Sequence, residues 1–236
     1  VNVLVLQHIA CEPPGVFEDV LVERGATIHR VELDEGEPLP ARLDGLDAVV
    51  AMGGPMSVND EELHPWLVSE KRLIREAVEG GLPFWGSCLG VQLLASSLGA
   101  AVRAGDAPEV GVLPVFPTAA VADDPVFTGL EWPRPTLQWH GDTFDLPASA
   151  TLLATSAAYP NQAFRVGDVA YGVQFHVEVT SAMADEWARV PEYERAAQAV
   201  LGPGGLERLL ADFRTALPAM LADGRALFGR WVDLWA

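Results

Sequence analysis

Cysteine is scarce in this chain: its 236 residues hold only Cys11 and Cys88. Two thiols are too few for a disulfide framework, and without a CxxC pair they do not make a zinc site by themselves. Basic runs are missing as well. Lysine and arginine number 15 against 33 aspartates and glutamates, a formal net charge of −18. So acidic a chain repels phosphate unless a local basic patch offsets it, and nucleic acid is not an expected partner. The acidity reads as a solubility device, with docking to a basic partner as the alternative. No apolar run approaches the roughly 20 residues that span a bilayer, so no membrane association is expected. The opening VNVLVLQHIACEPPG has no basic n-region and reads as a buried strand, not a signal peptide, which leaves the cytoplasm as the expected setting. Neither a P-loop nor a Gly-rich dinucleotide fingerprint occurs, and no cofactor or metal is expected.

What is present is apolar: half the residues are hydrophobic, enough for a sizeable core. The first hundred residues alternate short apolar runs with segments of helical spacing. VNVLVL, ATIHRVEL, LDAVVAM and LPFWGS read as strands. Val16–Arg24, the stretch from His64 to Gly81 and the stretch after Cys88 read as helices, the first two stopped by glycine. Such alternation predicts a parallel sheet covered by helices. Between residues 109 and 179, short strand-like pieces broken by Pro, Gly and Asp predict a more antiparallel region, with Tyr171–Thr180 as its last strand. From Ser181 the pattern is helical, interrupted by GPGG at 202–205. The expected fold is α/β with a mixed, mostly parallel central sheet. Residues 1–190 form the main domain, and residues 191–236 a helical extension packed on it.

Gly86-Ser87-Cys88-Leu89-Gly90 fits a nucleophile elbow with cysteine in the central place. A sharp strand-to-helix turn strains that residue and presents its thiol at a helix N-terminus, where the dipole favours thiolate. The Leu89 N–H then faces a developing oxyanion. On a strand, Gln174, His176 and Glu178 share one face. His176 and Glu178 lie about 6.6 Å apart along it, so a carboxylate can orient an imidazole that takes and returns the thiol's proton. A half-solvated strand with a polar outer face would show the same alternation. AMGGPM ends a strand in Gly53-Gly54-Pro55, where glycine backbone can approach a substrate and Gly54 can give a second oxyanion N–H, although a plain Gly-Pro turn looks alike.

These pieces, in this order, resemble the class I glutamine amidotransferase family. GGPMSVNDE, GSCLGVQLLA, WHGDTFDLP, NQAFRVGD and GVQFHVEVT are similar to segments of its stand-alone branch, which is itself similar to the amidotransferase domain of GMP synthase. The resemblance covers about Val1 to Val190 and implies a flavodoxin-like fold. It implies a triad of Cys88 as nucleophile, His176 as general base and acid, and Glu178 as the orienting acid, with Gly54 and Leu89 as oxyanion donors. By the same resemblance Gln92, Met56 and the His140-Gly141 stretch contact the substrate. Relatives often carry a polar or small residue, frequently histidine, where Val91 stands. His8, His29 and His64 match no catalytic position and read as structural.

The implied reaction is acyl transfer from glutamine or a γ-glutamyl compound through a γ-glutamyl thioester. Because no ATP-binding SGG-x-DS loop is present, ammonia is expected either to be released or to pass to a separate synthetase. Two other readings stand beside the glutaminase: a γ-glutamyl hydrolase or peptidase acting on larger compounds, and a catalytically silent interaction subunit. The tail ALFGRWVDLW, with Leu227, Trp231 and Leu234 on one stripe, motivates the last. A metal site built from Cys88, His176 and Glu178 is a weaker alternative, since a triad already accounts for those residues.

Overall fold

Residues alternating along a strand face opposite sides of a sheet, and here both sides are buried. Val3 and Val5 of the first strand pack into one core cluster, Leu4 and Leu6 into another. The structure, a computed structural model, describes residues 1–236. Its strands are β1 (Asn2–Gln7), β2 (Thr27–Glu32), β3 (Ala48–Ala51), β4 (Phe84–Ser87), β5 (Val102–Pro117), β6 (Arg134–Phe144), β7 (Ala150–Ser156), β8 (Ala163–Val166) and β9 (Ala170–Val173). They form one nine-stranded sheet in the order β2-β1-β3-β4-β9-β8-β7-β5-β6. The five strands from β2 to β9 pair in parallel, and the remaining pairs are antiparallel. The expected mixed, mostly parallel sheet is therefore present.

Six helices clothe it: α1 (Val16–Glu23), α2 (Trp66–Glu79), α3 (Leu89–Ser97), α4 (Ser181–Trp187), α5 (Pro191–Leu201) and α6 (Gly205–Val232). α1 and the end of α6 cover one face, where Phe17, Trp85, Phe228 and Trp231 form an aromatic cluster with Phe17 and Phe228 stacked at 4.3 Å. α2 and α3 cover the other face. Leu227 and Trp231 of the tail stripe are thus core residues, and the stripe is not a free docking face. A third cluster joins α4, α5 and α6 to Trp139 of β6. No helix is long and apolar enough to cross a membrane.

One expectation needs correction. Tyr171–Thr180 is not a single strand: β9 ends at Val173, and residues 174–179 run irregularly. The long β5–β6 hairpin folds back against this segment, so His176 pairs with Leu137 in an isolated antiparallel bridge, with N···O distances of 2.9 and 3.2 Å. Residues 170–179 are all buried, so the polar face of the expected strand meets protein and not solvent.

Candidate active site

Cys88 sits between β4 and α3 with φ 51° and ψ −105°, the only non-glycine residue of the chain at positive φ. An L-residue reaches that region only when its surroundings hold it there. Here the Cys88 N–H donates to the Val173 carbonyl at 2.8 Å, and two glycines allow the close approaches. A Cβ on Gly86 would stand 2.5 Å from the Gly90 carbonyl, and one on Gly90 would collide with the Ala51 carbonyl oxygen. The sequence places glycine where strand, turn and helix leave no room for a side chain. The N–H of Leu89, first residue of α3, has no protein acceptor.

His176 and Glu178 approach this elbow from the segment after β9. His176 Nδ1 lies 2.6 Å from Glu178 Oε1, while Glu178 Oε2 accepts the Val177 N–H at 3.0 Å. A carboxylate acceptor fixes the proton on Nδ1 and leaves Nε2 without it, and the charges of the ring and the Cys88 thiol are coupled. The indole of Trp187 packs edge-on to the ring at 4.7 Å. Burial alone would lower the imidazole's pKa, but Glu178 and the thiol outweigh it and hold it well above 6.5. For Cys88 burial wins: it pushes the thiol up, with His176 pulling the other way. The expected helix-dipole preference for thiolate therefore works against desolvation, and the thiolate depends on an imidazolium beside it.

Gly54, Met56, Cys88, Gln92, His140 and Gly141 line one cavity of about 270 Å³. Leu89, His176 and Glu178 are not among its lining residues: Leu89 lies beside Gly54, and the His176–Glu178 pair is coupled by charge to the Cys88 thiol. The Gly54 N–H, like that of Leu89, has no protein acceptor. Gln92 donates to Gln174 at 3.1 Å, and Gln174 donates to the Cys88 sulfur at 3.5 Å. His140 and Gly141 belong to β6 and not to a loop, and the His140 ring turns away to Glu109 at 3.0 Å and the Asp142 carbonyl at 2.9 Å. Val91 is buried against Gly172 and does not line the cavity. His29 bonds Asn2 near the surface, and His64 leans on Trp66.

Three residues of the site escaped the sequence reading. In the sequence Gln174 is only one member of an alternating pattern. Tyr193 of α5 closes the cavity from above, together with Glu192 and Ala196. Its hydroxyl donates to Glu12, a buried carboxylate just after β1 whose other oxygen has no partner. A Cβ on Gly53 would collide with that oxygen and lie 3.3 Å from His176 Cε1, so Glu12 stands close to the imidazole. Burial raises the Glu12 pKa, against the pull of His176 and Tyr193. The one local signal was a glutamate beside Cys11. That thiol is pushed up to about 12 by burial and by Glu12, which leaves it unreactive at neutral pH.

The chain is similar in sequence and in fold to known proteins. The family described as glutamine amidotransferase class-I matches residues 16–187. The glutamine amidotransferase-like protein YfeJ of Salmonella typhimurium is 35% identical over 176 residues, 73% of this chain and 74% of that protein. A glutamine-hydrolyzing GMP synthase of Porphyromonas gingivalis is 35% identical over 143 residues, which cover 60% of this chain but 26% of the synthase. The chain thus matches about a quarter of the synthase's length. Among solved structures, a glutamine amidotransferase from Thermotoga maritima superposes with a TM-score of 0.87 at 33% identity, covering 99% of this chain and 98% of that one. A glutamine amido transferase from Methylobacillus flagellatus superposes with 0.88 at 29% identity, covering 100% and 95%.

Proposed function

This chain belongs to the glutamine amidotransferase class-I family, and from that premise we propose that it hydrolyses the γ-amide of glutamine through a thioester on Cys88, releasing glutamate and ammonia. The observation that carries this reading is a strained elbow cysteine that lines a small cavity and is coupled by charge to a buried His176–Glu178 pair. The Cys88 thiolate attacks the γ-carbonyl, and the tetrahedral oxyanion takes hydrogen bonds from the Leu89 and Gly54 N–H groups. His176, held by Glu178, gives its proton to the departing nitrogen, and ammonia leaves. Water then loses a proton to His176 and attacks the thioester, and glutamate and the thiol are released. Gln92, Met56, His140 and Gly141 hold the amino-acid end. Residues 1–190 form the amidotransferase unit in this reading. Residues 191–236 form the helical extension whose α5 roofs the site.

A cavity of about 270 Å³ lies below the roughly 300–1,000 Å³ of pockets for drug-sized ligands. That size, under the roof of α5, favours free glutamine over a larger γ-glutamyl compound. Purified protein assayed for product from glutamine and from a panel of γ-glutamyl amides tests this choice. Glutamine is expected to give the highest kcat/KM; turnover of the amides with indifference to glutamine would transfer the assignment to a γ-glutamyl hydrolase. Similarity to about a quarter of the length of a GMP synthase supports a separate ammonia-accepting synthetase as partner.

The pH profile follows from the pair. Below the pKa of the coupled thiol and imidazole both groups are protonated and no nucleophile exists. Since both are raised, the acid limb of kcat/KM is expected above pH 6.5, not at the usual histidine value. A rate flat from about pH 5 to 9 contradicts His176 as the base.

A further inference from the structure

His8, at the end of β1, takes no part in the chemistry above, yet it is wholly buried beneath the Gly53–Gly54 turn. Its Nε2 lies 2.8 Å from the carboxylate of Glu70, a buried residue on the inward side of α2. Its Nδ1 lies 3.1 Å from the Gly53 carbonyl oxygen. The Gly53 carbonyl can only accept, so Nδ1 donates to it; against an ionised Glu70 carboxylate Nε2 donates as well, and the ring is then an imidazolium. Burial alone would lower its pKa, but the charge and hydrogen bond of Glu70, with smaller help from Gly53 and Glu12, outweigh it and hold it above the ordinary value. Trp66 stacks on the ring at 5.5 Å and fixes its plane.

The Gly53 carbonyl and the Gly54 N–H belong to one peptide group. In a trans peptide they point in opposite directions, and the only cis bond in this chain is Trp132–Pro133. Holding the Gly53 oxygen on His8 therefore aims the Gly54 N–H away from His8. Gly54 lines the Cys88 cavity and its N–H has no protein acceptor. Both flanking residues are glycine, so a turned-over peptide is open to the backbone unless a side chain forbids it. We infer that His8, backed by Glu70, is a positioning residue that locks the Gly53–Gly54 peptide with its N–H presented to the oxyanion. This deepens the proposed reaction and rests on it for its catalytic meaning.

The test starts from Glu70→Gln, which avoids stranding a buried carboxylate, and adds His8→Leu or His8→Asn. Leucine removes the donor to Gly53, whereas the asparagine amide nitrogen can replace Nδ1. With leucine, kcat for glutamine is expected to fall about 10²–10³-fold, the effect of losing one oxyanion donor, with KM within about twofold. Asparagine should restore at least tenfold. Alkylation of Cys88 by iodoacetamide, which passes through no oxyanion at a carbonyl, should keep its rate in all variants. A fall in kcat below threefold overturns the inference, as does alkylation slowed in step with turnover. Two readouts need no activity. Nitrogen-15 NMR of the wild-type protein should find protons on both His8 nitrogens, and a crystal structure of the leucine variant should show the 53–54 peptide turned over. A bare Nδ1 or an unchanged peptide rejects the role even if the variant folds poorly or turnover is low. Wild-type protein inert toward glutamine but with a doubly protonated His8 and a peptide that turns over would refute the reaction and keep the orienting role.

Discussion

Replacing Cys88 with alanine is expected to lower glutamine turnover by at least about 10⁴-fold while the protein stays folded. Residues of a nucleophilic triad act as a unit, so loss of the nucleophile forfeits most of what all three supply, and only binding and the oxyanion donors remain. Serine at this position should fare little better, because its hydroxyl has no accessible anion for His176 to stabilise. The fold should tolerate either change. The strained backbone at 88 is held by the Cys88 N–H to the Val173 carbonyl and by the glycines at 86 and 90, all of which both variants retain. Loss of one sulfur atom leaves a small cavity, costing about 1 kcal/mol. Ammonia release and thermal melting, measured on the same preparations, separate the two effects. A folded alanine variant keeping more than a few per cent of wild-type activity would remove Cys88 from the mechanism.

The largest effect on stability is expected from Gly90→Ala. The new Cβ would overlap the Ala51 carbonyl oxygen, and both partners are backbone, so no side chain can swing aside. Either α3 lifts from β3 or the elbow distorts. We expect a loss of about 3 kcal/mol or more, a large part of the roughly 5–15 kcal/mol that holds a domain together. For a chain of this length that lowers the melting midpoint by roughly 6–12 °C. Gly141→Ala is the control: nothing lies within 4 Å of the Cβ it would add, and its midpoint should barely move. Equal midpoints for the two variants would show that the tight packing of α3 on β3 is not what shapes the elbow.

Much of this architecture is legible in the chain because the physics is local. β1, β3 and β4 are short apolar runs, and only strands buried on both faces need such runs. The elbow announces itself because the close approach of α3 to β3 and β4 admits only glycine at 86 and 90. The stretch from Tyr171 to Thr180 misled for a related reason. Alternating polar and apolar residues ordinarily mark a strand with one wet face, but Gln174, His176 and Glu178 are all buried and satisfied by one another, by Cys88 or by backbone. Their partners arrive from β6, from α3 and from the elbow before it, all distant in sequence, and no periodicity reports them. Glu12 and Tyr193, 181 residues apart, were invisible for the same reason. His8 and Glu70 look like an ordinary histidine and an ordinary polar helix position until the fold brings them together under Gly53.

Mass spectrometry of enzyme quenched during glutamine turnover most directly tests the covalent route. The account predicts a γ-glutamyl adduct on the peptide bearing Cys88, labile to hydroxylamine as a thioester is, and none on the peptide bearing Cys11. Steady ammonia release with Cys88 unmodified throughout and with an active Cys88→Ala variant would contradict it.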